Sequence, residues 1–308
     1  MSILVGTASW TDRSLLASKR FYPPGVTSAE ARLRYYAARY ALVEIDTSYY
    51  AMPDAVSAER WVARTPPGFT FNMKAFRLFT GHRTQRTVLP REIRDNLPPG
   101  DEWLYRDVPP DVLDAIWAYF RSAVAPLSAA RKLGALHFQF APSVRRSARA
   151  IAHLEQCIDR LPGVALAVEF RHASWFAPEA RAETLAFLRE HQLVNVVVDS
   201  PQGFQNSVPD VWEPTSAQLA IVRLHGRNAF TWNLQNGRSS DRFNYDYSDA
   251  ELAQIAARVR QLAERAATVH VIFNNCWEDN GQRNARTLMD QLGLPAPAAE
   301  PAAGLDPA

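Results

Sequence analysis

The sequence predicts an α/β protein that folds as a single (β/α)8 barrel of the TIM type. Three observations support this prediction: eight short runs rich in β-branched and aromatic residues, helical patterns between them, and polar side chains that recur on one face of the runs. An open, doubly wound parallel sheet is the alternative architecture. It is less favoured, because helices cover both faces of such a sheet and leave little place for polar side chains.

The predicted strands are separated by segments long enough to hold a helix. In chain order they are residues 3–7, 42–46, 69–74, 135–140, 165–170, 194–199, 220–225 and 269–273. Two helices are predicted to begin at the capping sequences Thr27–Glu30 and Ser248–Glu251, and others lie near 54–64, 110–132, 147–160, 178–191 and 281–292. Regular alternation of strand and helix is typical of a barrel.

Side-chain alternation along the strands supports the barrel independently, because successive residues face the helices and the interior in turn. Glu44 and Asp46 share one face of the second strand, and Arg223 and His225 share one face of the seventh. Glu169 occupies the polar face of the fifth. These residues gather toward the C-terminal ends of their strands, which is where TIM barrels carry their active sites.

Two connections are longer than usual for a compact domain. They span about 76–109 after the third strand and about 226–247 after the seventh, and both are predicted to lie on the active-site face. The first contains several prolines and is predicted to be irregular. Residues 1–294 are predicted to form the barrel domain, and the Pro- and Ala-rich segment 295–308 a disordered tail.

Composition narrows the functional classes. The chain has 308 residues, a formal net charge of +2 and two cysteines without a metal-ligand spacing. The small charge disfavours a dedicated nucleic-acid binder, and the cysteine usage fits a reducing compartment. No signal peptide and no membrane-spanning apolar segment are recognised, so a cytoplasmic location is predicted.

Several ordered motifs resemble the YecE-like family, also called domain of unknown function 72. They are Val5–Trp10, Phe21–Gly25, Val43–Tyr50, Trp61 with Thr65–Phe69, Phe138–Ser143, Val168–Trp175, Arg223–Arg227 and Phe273–Asn275. The resemblance extends over roughly residues 3–292 and implies a TIM-type barrel, but it supplies no established reaction. The chain departs from the family pattern at Asp46, where Asn is usual, at Ala141, where Pro is common, and in the insert after His82.

Four residues are candidates for catalysis: Glu169, Glu44, Lys74 and His225. Two carboxylates with oxygens about 5 to 10 Å apart suit general acid–base or glycosidic chemistry. The alternative is a buried structural network in which arginines such as Arg223 neutralise both glutamates.

Lys74 lies on the polar face at the end of the third strand. A lysine there can serve as a base, a Schiff-base nucleophile or an anion clamp, or simply form an ion pair with Glu44 or Asp46. His225 adds a titratable imidazole two positions after Arg223, a combination that suits an anionic substrate or intermediate.

Further polar and aromatic residues are predicted to bind the substrate. Trp10 and Trp175 offer flat faces for a sugar ring or a base, although a tryptophan more often belongs to the core. The full predicted set is Trp10, Asp46, Tyr49, His82, Arg171, His172, Trp175, Arg223 and Asn275.

No cofactor is predicted. A divalent metal bound by His82, Glu169, Asp199 and His225 is possible but disfavoured, because no recognised ligand spacing is present. The chain also lacks a P-loop and a GxGxxG fingerprint, which disfavours the use of ATP or a nicotinamide.

The leading functional hypothesis is an enzyme, of the hydrolase or lyase type, acting on a small polar, anionic or sugar-containing substrate. One alternative is a protein that binds or processes nucleic acid or another phosphate ligand. It rests on arginines of the long loop and of the segment after the fourth strand, namely Arg83, Arg86, Arg91, Arg94, Arg145, Arg146 and Arg149. A non-catalytic ligand-binding protein is the other alternative, and the oligomeric state is left open.

Overall fold

The computed structural model describes residues 1–204, 206–234, 239–295 and 297. In these ranges the strands are β1 (Ser2–Ala8), β2 (Leu42–Ile45), β3 (Thr70–Lys74), β4 (Thr84–Gln85), β5 (Glu102–Trp103), β6 (Leu133–Gln139), β7 (Leu166–Glu169), β8 (Val194–Asp199), β9 (Leu219–Leu224) and β10 (Thr268–Phe273). Eight of them form a closed barrel in the order β1-β10-β9-β8-β7-β6-β3-β2, with β4 and β5 paired separately.

The barrel strands are parallel and coincide with the eight predicted runs. The barrel closes where the first strand, β1, pairs with the last, β10. In the pairing of β1 with β2, Gly6 lies opposite Leu42. A Cβ atom at position 6 would lie 1.9 Å from the carbonyl oxygen of Leu42, so only glycine permits this close approach. The predicted (β/α)8 fold is confirmed, and the doubly wound alternative is excluded by the closed sheet.

The described helices are α1 (Arg13–Ser18), α2 (Ala29–Ala37), α3 (Thr47–Tyr50), α4 (Ala55–Ala63), α5 (Arg91–Arg94), α6 (Pro110–Ala129), α7 (Ala148–Arg160), α8 (Arg181–Glu190), α9 (Ser239–Arg242), α10 (Asp249–Ala263) and α11 (Asn280–Leu292). The longer helices α6, α8, α10 and α11 pack against the barrel strands. Short 3-10 turns occur at Arg77–Thr80, Arg86–Val88, Tyr105–Asp107 and Ala173–Trp175.

The predicted helix starts agree with the observed caps. The Ser28 hydroxyl accepts the Ala31 N–H, and Ser248 forms a reciprocal capping box with Glu251 at the start of α10. Such side chains satisfy N–H groups that the first helical turn leaves unpaired. Leu252 and Val259 of α10 are fully buried, as expected for the helix face that packs on the sheet.

The connection after β3 is more ordered than predicted. It holds the antiparallel pair β4 and β5, the helix α5 and short 3-10 turns. Ile93, Leu97 and Trp103 are buried and belong to the hydrophobic core of the domain, so the segment packs onto the barrel domain. The prolines that suggested an irregular loop separate these short elements instead of preventing them.

The connection after β9 is described except at residues 235–238, and it contains α9. The predicted disordered tail, 295–308, lies outside the described residues apart from 295 and 297. Within the described ranges, no helix is both long and apolar enough to cross a membrane.

Candidate active site

A cluster of buried ionisable side chains fills the C-terminal end of the barrel. It consists of Glu44 from β2, His137 from β6, Glu169 from β7, Arg223 from β9, and His225 just beyond β9; we call it the charged cluster. Each member is at most 1% exposed. Glu44 contacts Arg223 although β1 and β10 separate their strands in the sheet, so these side chains meet across the barrel interior.

One guanidinium joins the two carboxylates. Arg223 donates through Nη2 to Glu44 Oε1 at 2.6 Å and through Nη1 to Glu169 Oε2 at 2.8 Å. The two oxygens that it contacts are therefore less than about 8 Å apart, an upper limit that does not exceed the roughly 5 to 9.5 Å of glycosidase carboxylate pairs. Glu44, Glu169 and Arg223 therefore converge as predicted. Arg223 also neutralises both glutamates, as the alternative of a buried structural network requires.

Glu169 is the most heavily contacted member of the cluster. Its Oε1 accepts hydrogen bonds from Gln139 Nε2 at 2.6 Å and Arg171 Nη1 at 3.3 Å. His225 Nε2 lies 3.1 Å from the same oxygen, and His137 Nε2 lies 3.2 Å from Oε2 without the alignment of a hydrogen bond. Side chains from β6, from β9 and its end, and from the residue two positions after Glu169 thus hold this carboxylate in one position.

The partner of His225 identifies its tautomer. Asn274, directly after β10, lies with Nδ2 2.8 Å from His225 Nδ1. With the amide in this orientation it donates to Nδ1, and the imidazole proton is assigned to Nε2, which lies 3.1 Å from Glu169 Oε1 and 3.3 Å from Arg223 Nη1. The Asn274 Oδ1 atom faces the thiol of Cys276 at 3.7 Å, which agrees with this amide orientation.

The cluster keeps its carboxylates ionised. Burial alone would raise the pKa of Glu44, but the positive charge of Arg223 and the contact with His137 outweigh it and lower the pKa to about 2. Burial acts the same way on Glu169, and Arg223 and His225 together lower its pKa well below the usual value. Burial lowers the pKa of His225 to about 4, against the opposing effect of Glu169. At neutral pH Glu169 is therefore a proton acceptor beside a neutral imidazole.

A chain of polar contacts leads from the cluster toward solvent. Gln139 accepts a hydrogen bond from Lys74 Nζ at 2.9 Å, and Lys74 Nζ lies 2.8 Å from Asp46 Oδ1. The Asp46 side chain is 27% exposed. Lys74 forms the ion pair with Asp46 that the sequence left open, and its Nζ lies 4.4 Å from the ring centroid of Tyr49.

Aromatic side chains cover the cluster. Trp232 and Phe243, from the connection after β9, have ring centroids 6.1 and 5.5 Å from that of His225. The guanidinium of Arg171 lies over Trp232 at 5.1 Å, and the Trp232 indole N–H donates to Asn206 at 3.0 Å. The long loop after the seventh barrel strand thus lies over the active-site end, as predicted.

Tyr49 and His82 lie at the edge of this site. Their rings make an edge-to-face contact at 5.2 Å, and Thr80 bonds to His82 Nδ1 at 3.0 Å. Burial, aided by the nearby Arg77, lowers the pKa of His82 to about 3, so it is neutral at pH 7.

Comparison with known proteins identifies the family. The sequence matches the family described as "Protein of unknown function DUF72" over residues 4–305. The chain belongs to the DUF72 family. It is 29% identical over 295 residues to the UPF0759 protein YunF of Bacillus subtilis (strain 168), with 95% of each sequence covered.

Solved DUF72 structures share the fold. A DUF72 protein of Enterococcus faecalis V583 (EF0366) is 27% identical, with a TM-score of 0.79 and coverage of 97% of this chain and 98% of the other. A DUF72 protein of Thermotoga maritima MSB8 (TM1631) is 26% identical, with a TM-score of 0.72 and coverage of 95% and 100%. The predicted membership in the YecE-like family is confirmed, and none of these descriptions names an activity.

Three predicted binding residues of this DUF72 chain do not reach the cluster. Trp175 is 1% exposed and stacks on Phe170 with ring centroids 3.8 Å apart, so it is a core residue and offers no free face. His172 turns away toward Arg145, which donates to its Nε2 at 3.1 Å. Both follow the end of β7, where strand alternation no longer determines direction.

Asn275 is the third of these residues. It is fully buried and donates to the backbone oxygen of Tyr245 and to the side chain of Asn284. Its neighbour Asn274 contacts the site instead, so the prediction was off by one residue at a strand end. A shift of one position reverses the direction of a side chain.

His137, Gln139 and Asn274 were missed by the sequence analysis. His137 and Gln139 alternate with Leu136 and Phe138 along β6, which is the same polar-face signal that identified Glu44. Applying the alternation rule to the fourth predicted strand would have found both. Asn274 lies beyond the end of β10, where no such signal exists.

The candidate metal ligands do not converge. Glu169 and His225 are in contact, but the Asp199 side chain is engaged by Arg227 and Tyr247, each at 2.7 Å. Across the part of the chain that the structure describes, no three His, Cys, Asp or Glu side chains are arranged to hold a metal ion.

Two of the arginines that motivated the nucleic-acid alternative make protein contacts. Arg86 donates to the carbonyl of Arg94 at 2.7 Å, and Arg146 forms an ion pair with Glu183 at 2.7 Å.

Proposed function

We propose that this DUF72 protein is an enzyme whose active site is the charged cluster, with Glu169 as the general base or nucleophile. The reaction is of the hydrolase or lyase type and the substrate is small and polar. The observation that carries the proposal is that Glu169 is an ionised, fully buried carboxylate at the C-terminal end of a TIM barrel.

A purely structural role explains the cluster less well. Desolvating several charges costs free energy, and replacing buried ion pairs with apolar residues of similar volume is often neutral or stabilising. A barrel interior can be filled with branched aliphatic side chains, as it is elsewhere in the TIM fold. Retaining two carboxylates and Arg223 at the end where active sites occur therefore favours a chemical role.

The contacts suggest a role for each residue. Glu169 accepts a proton or attacks an electrophilic carbon, and the Nε2–H of His225 lies beside it to hydrogen-bond the reacting group. Asn274 is a positioning residue, because it fixes the His225 tautomer. Arg171 and Lys74 stabilise negative charge, and Glu44 holds Arg223 in place. Trp232 and Phe243 must move for a substrate to reach Glu169, and their return would exclude water.

An untargeted comparison tests the proposal. The wild-type protein, Glu169→Gln and the matched surface variant Glu183→Gln are each incubated with a cell metabolite extract, and consumption is followed by mass spectrometry. Glu183 is a suitable control because its side chain is 71% exposed and lies outside the cluster. We expect wild type and Glu183→Gln to consume the same compounds, and Glu169→Gln to be slower by a factor of about 100 or more.

Three results would contradict catalysis by Glu169. One is equal consumption by Glu169→Gln, and a second is retention of a compound by all three proteins without conversion, which would identify a binding protein. Melting curves establish that the variants are folded. If Glu169→Gln does not fold, Glu169→Asp takes its place, since it keeps the charge but draws the carboxylate back by one methylene group. Unchanged turnover in that folded variant is the third contradicting result.

A further inference from the structure

A second concave region lies beside the charged cluster, where β1 and β2 end. It is a pocket of about 210 Å³ lined mainly by Ser9, Trp10, Asp46, Thr47, Trp61 and Arg64, and we call it the Trp10–Trp61 pocket. Asp46 belongs both to this pocket and to the chain of contacts through Lys74 and Gln139 to Glu169. Among the polar side chains described above, Asp46 thus connects the charged cluster to an open pocket.

The charges around the pocket are already balanced. Lys74 Nζ lies 2.8 Å from Asp46 Oδ1, and Arg64 Nε lies 3.3 Å from Glu30 Oε2. A charged ligand would find no unpaired opposite charge among these four side chains and would lose its hydration on entering. The balance favours an uncharged ligand.

The pocket offers hydrogen-bonding oxygens beside aromatic walls. The centroids of the Trp10 and Trp61 rings are 6.2 Å apart and the ring planes are nearly perpendicular. The two rings therefore form adjoining walls of the pocket that meet at nearly a right angle. Asp46 and Thr47, whose side chains carry oxygen atoms, belong to the same lining, and the Asp46 side chain is 27% exposed. A ligand that combines an apolar ring face with several O–H donors matches both features, since ionised carboxylates only accept hydrogen bonds.

The size of the pocket limits what can enter. A volume of about 210 Å³ is below the range of roughly 300 to 1,000 Å³ that is usual for drug-sized ligands, so it suits a single ring. A six-membered polyhydroxylated ring has the required size, apolar C–H faces and O–H donors.

We propose that the Trp10–Trp61 pocket binds an uncharged sugar ring, with the two tryptophans as its walls and Asp46 as the acceptor of its hydroxyl groups. This inference rests on the proposed function and deepens it, because it assigns the substrate of the charged cluster to the class of neutral sugars and glycosides. Hydroxyl groups bound at Asp46 would be linked to Glu169 by the contacts of Asp46 with Lys74, of Lys74 with Gln139 and of Gln139 with Glu169.

Ligand-observed NMR tests the inference directly. Saturation transfer and competition titrations are run with D-glucose, D-galactose, D-xylose and myo-inositol as neutral probes, D-glucosamine as the cationic probe and glucose 6-phosphate as the anionic probe. We expect at least one neutral ring to bind more tightly than both charged probes. Trp61→Ala and Asp46→Ala should weaken that binding by about tenfold or more, which corresponds to about 1.4 kcal/mol.

Matched variants separate a binding role from general damage. Arg145→Ala, which alters a different cleft of about 420 Å³, should bind the sugar as the wild type does. Trp61→Phe and Asp46→Asn retain a ring face and a hydrogen-bonding oxygen, so they should recover part of the lost affinity. If circular dichroism spectra show that Trp61→Ala or Asp46→Ala is unfolded, the conservative variants replace them in the test. These variants should then bind the sugar measurably more weakly than the wild type does.

The inference is overturned if no neutral ring binds, if a charged probe binds more tightly, or if sugar binding is unchanged in folded Trp61→Ala and Asp46→Ala. A separate measurement tests the proposed function. Glu169→Gln should still bind the neutral ring. If Glu169→Gln loses turnover of a compound that contains no sugar, the proposed active site is supported and the proposed sugar pocket is contradicted.

Discussion

At the residue scale, one arginine determines the state of two carboxylates. Arg223 is 1% exposed and contacts Glu44 and Glu169 with separate nitrogens of the same guanidinium. The arrangement is favourable only while all three groups remain, because removing the cation leaves two desolvated negative charges. The same contacts that stabilise the barrel mouth also keep Glu169 ionised.

Replacing Arg223 should therefore cost much more stability than replacing a surface arginine. For Arg223→Met we expect a loss of about 3 to 5 kcal/mol in the free energy of unfolding, measured by urea titration at pH 7. The matched control is Arg258→Met, whose side chain is 46% exposed where it pairs with Asp210, and which should lose less than about 1 kcal/mol. Similar losses in both variants would show that the charged cluster contributes no more than a surface ion pair.

Strand alternation predicted the centre of the site better than its edges. Glu44, Glu169, Arg223 and His225 were found because the period of two is strict inside a closed barrel. Trp175 was placed wrongly, because it follows a strand end where the chain turns. For an ion pair of Lys74, the sequence left Glu44 and Asp46 as possible partners. The choice depends on distances in the folded protein, which the sequence does not give.

At the element scale, aromatic residues of the connection after β9 cover part of the charged cluster. Trp232 is 4% exposed and is held by Asn206, Arg171 and the ring of Phe243. These contacts form one small aromatic and polar cover over His225. Loops at the C-terminal face of a barrel commonly open and close around the active site.

Removing the Trp232 side chain should expose His225. In Trp232→Ala we expect His225 to react with diethylpyrocarbonate at least about fivefold faster than in the wild type, as measured by peptide mass spectrometry at pH 7, since its imidazole is neutral there and needs only access. Trp212→Ala is the control, because Trp212 contacts Arg258 instead. An unchanged rate in Trp232→Ala would mean that Trp232 does not close the site.

The elements themselves were largely predictable. The sixth barrel strand, Val194–Asp199, has the predicted bounds, and the helix predicted near 147–160 is α7, Ala148–Arg160, with Ser147 as its cap. The four-residue helix α3 and the short pair of β4 and β5 were not predicted. Elements of this length carry too few residues for a period to be recognised, and tertiary contacts determine them.

At the scale of the whole molecule, buried imidazoles and carboxylates make stability depend on pH in one direction. Burial lowers the pKa values of His225 and His270 to about 4, and Arg223 outweighs burial to lower that of Glu44 to about 2. For each group the unfolded chain takes up the proton at a higher pH than the folded protein does, so acidification favours unfolding. The histidine contribution is fully present above about pH 6.5, and the carboxylate contribution above about 4.5.

The free energy of unfolding should therefore decrease by several kcal/mol in total as the pH is lowered from about 6.5 to 4, because of the histidines. Below about pH 4.5 protonation of Glu44 and Glu169 should lower it further. Urea titrations at half-unit pH intervals measure this decrease. A stability that is constant from pH 6.5 to 4 would contradict the buried, neutral state of the histidines.

The family relationship and the barrel agree at this scale, but neither assigns a reaction. TIM barrels host many unrelated chemistries, so the function has to be argued from the side chains at the barrel mouth. In this chain the argument depends on Glu169 being ionised, since a protonated Glu169 would be a proton donor and not a base or nucleophile.

The ionisation state of Glu169 can be measured by carboxyl 13C NMR of protein labelled at glutamate, with its resonance assigned by comparison with Glu169→Gln. We predict that the Glu169 signal keeps the chemical shift of a carboxylate from pH 7.5 down to the pH at which the protein unfolds. A titration midpoint at or above pH 7 would contradict the proposed base, because Glu169 would then be largely protonated at neutral pH.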